Sequence, residues 1–177
     1  MKSKIISLSA VSAAFTAIAL IVGAYFEFTD VFALVISSVF VILPIYLRSY
    51  KGSVLSYLVG GVIAFLCSGF NILSLVFPAY FLFFGVYPIV KNKMIEKKFN
   101  KYAGFIIGLI WFIIIAYGAY FYYTLIMHGV FDGLPNWVND YVLYVVAFVA
   151  VIFFIVYDRF VLVIKYLIDR YLGRIIK

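Results

Sequence analysis

Every Lys and Arg of this 177-residue chain falls in one of four short segments, and the sequence between them is almost unbroken Phe, Tyr, Ile, Leu, Val and Ala. The clusters are Lys2 and Lys4; Arg48 and Lys51; Lys91, Lys93, Lys97, Lys98 and Lys101; and Arg159, Lys165, Arg170, Arg174 and Lys177, which account for all 14 basic residues. Each gap between clusters is long enough to cross a bilayer and return, since one helical crossing takes about 20 apolar residues. Basic loops are retained on the cytoplasmic face. One pattern therefore predicts membrane class, topology and orientation together. Composition agrees: the chain is 68% hydrophobic and 12% charged, against about 45–50% apolar and about 25% charged residues in a soluble domain.

Apolar runs bounded by polar turns predict an all-α fold of six transmembrane helices at residues 5–26, 31–47, 54–69, 72–90, 102–127 and 141–157, within a single membrane domain, 1–177. An even number of crossings puts both termini in the cytoplasm, with every basic cluster on that side and Glu27, Asp30, Asp132 and Asp140 on the other. The first run exceeds the about 7–15 residues of a signal-peptide core and more spans follow, so it reads as a retained helix. Gly60 and Gly61 in the third span allow a neighbouring helix to approach closely. Pro78 and Pro88 in the fourth remove backbone donors and favour a kink. In the tail, 158–177, the charged positions fall within roughly half of a helical wheel, which predicts a cytoplasmic amphipathic helix, either lying on the membrane or extending the sixth span.

Enzyme chemistry is poorly represented. His128 is the one histidine and Cys67 the one cysteine, so neither a disulfide nor a His/Cys metal site can be assembled. No metal, cofactor or catalytic residue is expected. Cys67-Ser68-Gly69 lacks the first glycine of a nucleophile turn, because Leu66 stands there. A net charge of +7 would in a soluble chain point to nucleic acid, but here the charges flank apolar spans, and their natural partners are anionic lipid heads of the bilayer. The span centres carry almost no ionisable residue, unlike ion-coupled carriers.

Hydrogen-bonding groups gather instead at the outer ends of the spans. Tyr25, Glu27, Asn71, Asn136, Trp137, Asp140 and Tyr144 are the expected lining of an outward-facing small-molecule pocket between spans one, four, five and six. The long connection 128–140 is suited to covering it. The first span also carries a small-residue face, Ala10, Ala13, Ala14 and Ala17, at the spacing that lets another helix pack closely. That face serves either internal packing or a protein partner.

Taken together, the six-span layout, Ala10-x-x-x-Ala14, the basic turn Arg48-Ser49-Tyr50-Lys51-Gly52 and the ending Val156-Tyr157-Asp158-Arg159-Phe160 with its basic tail resemble the substrate-binding S component of energy-coupling factor transporters. The resemblance implies a substrate bound from outside with high affinity. It also implies docking through the first helix on a transmembrane coupling protein, and work supplied by two ATPase subunits. The alternative is a membrane scaffold or accessory subunit with no substrate of its own.

Overall fold

The computed structural model describes residues 2–47, 49–70, 74–126 and 136–175. Among these the chain is helical and has no strand. The elements are α1 (Lys2–Tyr25), a short 3-10 turn (Glu27–Thr29), α2 (Asp30–Tyr46), α3 (Tyr50–Cys67), α4 (Val76–Ala79), a π-helical turn (Tyr80–Phe84), α5 (Tyr87–Glu96), α6 (Lys101–Ile126) and α7 (Asn136–Ile175). Among the described residues four stretches are long and apolar enough to cross a membrane: Ser3–Tyr25, Tyr50–Cys67, Lys101–Leu125 and Tyr141–Ile168. α2 is a shorter apolar helix of 17 residues. The chain divides into two compact units, residues 1–99 with 160–177 and residues 100–159.

In the first unit α1 packs along both α2 and α3. The stripe it buries is small and partly hydroxylic: Ser9, Ser12, Ala13, Thr16, Ala17 and Leu20. Small side chains bring the backbones close enough for hydroxyls to reach carbonyls across the interface. Ser56 donates to the Ser9 carbonyl at 2.8 Å, Ser12 to the Phe40 carbonyl and Ser53 to the Val41 carbonyl. Gly60 marks a close backbone approach of α3 to α1: a Cβ there would stand 2.9 Å from the Ala13 carbonyl oxygen and 2.9 Å from Thr16 Cβ. α3 begins at Ser49, whose hydroxyl caps it by accepting from the Gly52 amide at 3.1 Å.

The run expected as a fourth span, 72–90, is not one α-helix. Pro78 sits in the first turn of α4, where its missing donor costs little. Pro88 removes the donor that would have reached the Phe84 carbonyl, and the regular ladder fails just before it. The Gly85 amide reaches back five residues to the Tyr80 carbonyl at 2.9 Å, and the Val86 amide bonds Phe83 at 3.1 Å. This leaves the Phe81 carbonyl without its helical partner, and the Tyr57 hydroxyl of α3 donates to it at 2.9 Å. Tyr80 returns the bond, donating to the Tyr57 carbonyl at 3.1 Å. α5 then runs to Glu96, past the expected end at residue 90.

In the second unit α6 and the first part of α7 form an antiparallel pair. Phe105 meets Phe154 with ring centroids 5.3 Å apart, Phe112 stacks on Phe153 at 5.5 Å, and the Tyr117 hydroxyl donates to the Leu143 carbonyl at 3.1 Å. α7 continues without a break through Asp158 to Ile175, 40 residues in all. The tail is therefore a prolongation of the last apolar helix. Its burial does not follow the charged and apolar halves of the wheel: Asp158 is buried and Lys165 half-buried, while Val163, Tyr166 and Leu167 are exposed.

Candidate functional site

A cavity of about 190 Å³ opens in the first unit, lined by Ile42, Ile45, Tyr46, Asn92, Glu96, Lys165 and Ile168. Helical periodicity assembles it. The last turn of α2 supplies Ile42, Ile45 and Tyr46; Asn92 and Glu96 are one turn apart on α5; Lys165 and Ile168 are one turn apart on α7. Two of these helices, α2 and α5, end here, at Tyr46 and Glu96. Their C-terminal carbonyls bring the negative ends of two helix dipoles to the cavity.

Asn92 is the most constrained of the lining residues, at 1% exposure. Its Nδ2 donates to the Pro88 carbonyl at 2.7 Å, which fixes the amide orientation and leaves Oδ1 as the free acceptor. That oxygen is buried and has no hydrogen-bond partner. Leaving such an acceptor unpaired costs about 1–3 kcal/mol, which a donor reaching it would recover. Glu96 adds a carboxylate. The buried Tyr50 hydroxyl at the start of α3 lies within electrostatic reach of that carboxylate without meeting hydrogen-bond geometry. Lys165 supplies one positive charge, and among the described residues no ion pair joins it to Glu96. The wall is thus rich in acceptors on the α2 and α5 side, cationic at Lys165, and apolar at the three isoleucines.

The residues expected to hold substrate are placed differently. Tyr25 is 65% exposed at the end of α1, its hydroxyl 3.5 Å from the Cys67 carbonyl. Glu27 opens the 3-10 turn that follows. Tyr144 lies in the other unit on α7, 73% exposed, with its ring 6.4 Å from that of Tyr141. Asn71 lies outside the described residues. Asn136, Trp137 and Asp140 form the first turns of α7, but their side chains are outside the described set. Tyr25 does not line the cavity at the ends of α2 and α5.

The alanine face of α1 divides in two. Ala13 and Ala17, 6% and 4% exposed, are used inside the first unit, whereas Ala10 and Ala14 remain on the exposed side. Asn92, Glu96 and Lys165 were not expected as site residues, because basic loops read as orientation signals. The one available hint was Glu96, the single acid in the otherwise basic stretch 91–101. Compared with protein-family models, curated proteins and solved structures, the chain matches none.

Proposed function

We propose that this chain is the membrane-embedded substrate-binding subunit of an energy-coupling-factor-type uptake transporter for a small vitamin-like molecule or micronutrient. On this reading it crosses the cell membrane six times with both termini in the cytoplasm, and neither catalyses a reaction nor carries a cofactor. α2, at 17 residues, sits at the lower limit of about 17–25 for a crossing. The stretch from Val76 to Glu96 has the length for another. The observation that carries the proposal is the split of the α1 alanines. Internal packing consumes Ala13 and Ala17 and leaves Ala10 and Ala14, one turn apart, as a low ridge open to a partner helix.

The scaffold reading has its own support in the exposure of Tyr25 and Tyr144. Affinity purification from native membranes separates the two. A transporter subunit brings down a membrane protein with two ATPases, and Ala10→Trp with Ala14→Trp abolishes that recovery while the chain stays folded. A small molecule retained by the wild type in native mass spectrometry should be held less tightly after Trp137→Ala, by about 1–3 kcal/mol if the indole stacks on it. Recovery of neither ATPase nor ligand rejects transport in favour of the scaffold.

A further inference from the structure

We propose that the cavity at the ends of α2 and α5, beside α7, binds a small zwitterion with a primary ammonium and a phosphate joined by a short linker, the chemistry of an aminophospholipid headgroup. The inference stands apart from the transport reading, since it uses none of the residues assigned to substrate or partner.

The ammonium half has the stronger recognition. The Asn92 Oδ1 is buried and unpaired, Glu96 brings a carboxylate, and two helices direct their negative ends to the same place. A primary ammonium carries three donors and no acceptor, which matches a wall of acceptors. A metal ion matches it poorly: among the described residues Glu96 is the one carboxylate lining the cavity, and Lys165 would oppose the ion. Among the described residues no group of three or more His, Cys, Asp or Glu side chains is placed to hold a metal. Lys165 provides the counter-charge for the anionic half. Lysine binds phosphate as a point charge rather than a fork, and one such contact suits a phosphodiester with a single negative charge.

Size and surroundings restrict the ligand further. The volume of about 190 Å³ is enough for a phosphoethanolamine group. Ile42, Ile45 and Ile168 make the remaining wall apolar. The cavity lies at the last turn of an apolar helix, α2, and beside the most basic stretch of the chain, 91–101. A lipid headgroup would occupy that depth with its acyl chains toward the bilayer. A free aminophosphate would present the same chemistry from the aqueous side.

Native mass spectrometry and thermal unfolding of the purified full chain in detergent test the proposal. The probes are phosphatidylethanolamine, phosphatidylcholine and free O-phosphoethanolamine. Phosphatidylethanolamine should be retained about tenfold or more over phosphatidylcholine, whose quaternary ammonium has no N–H to donate. Glu96→Gln and Lys165→Met should each lower that retention by about tenfold; Glu96 is exposed and the glutamine is isosteric, so folding is preserved. Competition and thermal stabilisation by O-phosphoethanolamine would identify the soluble zwitterion as sufficient. Retention of the lipid undisturbed by it would identify the membrane lipid as the source. Equal retention of the two lipids without stabilisation by O-phosphoethanolamine overturns the proposal. So does retention unchanged in both variants, and the cavity is then a water-filled cleft.

Discussion

Gly60 and Gly118 are both helical glycines in apolar sequence, yet they stand in opposite surroundings. A Cβ at Gly60 would press on the Ala13 carbonyl and on Thr16, whereas a Cβ at Gly118 would meet nothing within 4 Å. In an open position, Gly→Ala gains up to about 1 kcal/mol of helix propensity. Where backbone blocks the methyl, overpacking costs about 1–3 kcal/mol. Gly118→Ala should therefore raise the unfolding midpoint in detergent and Gly60→Ala should lower it. Equal effects would mean that α1 and α3 do not approach as closely as described. The sequence does show that Gly60 lies in a span, and the paired glycines do suggest close packing. Which neighbour it touches depends on the rotation of α1, and that is set by the hydroxyl-to-carbonyl bonds Ser12 makes to Phe40 and Ser56 makes to Ser9.

At the scale of elements, ends marked by charge or by turn residues are legible and interruptions within apolar runs are not. α2 begins and ends, and α6 begins, within a residue of the expected 31–47 and 102–127, because Asp30, Arg48 and Lys101 punctuate them. The widened turn at Tyr80–Phe84 lies in Tyr-Phe-Leu-Phe-Phe, a string that carries no sign of its register. Pro88 explains the break only once the Tyr57 hydroxyl is seen to take the carbonyl left over. The cavity was illegible for a related reason: Asn92 and Glu96 acquire a common wall with Lys165 through the phase of α5, which follows that turn. A π turn holds one residue more than the α-helix it interrupts. Deleting Leu82, which is exposed, should restore α geometry and return the Phe81 carbonyl to the helical ladder, so that the Tyr57 hydroxyl loses its acceptor. The deletion should unfold at a clearly lower temperature, while Leu82→Ala stays within about 0.5 kcal/mol of wild type. Indistinguishable melting of the two variants would show that the bond from Tyr57 to the widened turn adds no stability.

For the whole molecule, orientation is the property that the segregated charges address most directly. A cysteine placed at Lys98 or at Asp132, with Cys67 replaced by Ala, should be labelled by an impermeant maleimide from opposite sides of intact cells, Asp132 from outside. Labelling of Asp132 from the cytoplasm alone would reverse the topology. α7 sets a further condition on the host membrane. Its apolar stretch Tyr141–Ile168 has 28 residues, about 42 Å at about 1.5 Å per residue, against a hydrocarbon core of about 30 Å. Arg159 is exposed within that stretch, and residues 141–158 alone reach about 27 Å. A thin bilayer accommodates those residues upright and leaves Arg159 among the headgroups; a thick one either draws the guanidinium inward or strains the surrounding lipid. The unbroken helix thus acts as a ruler with one charged graduation, and membrane thickness becomes a variable that sets how deep the chain sits.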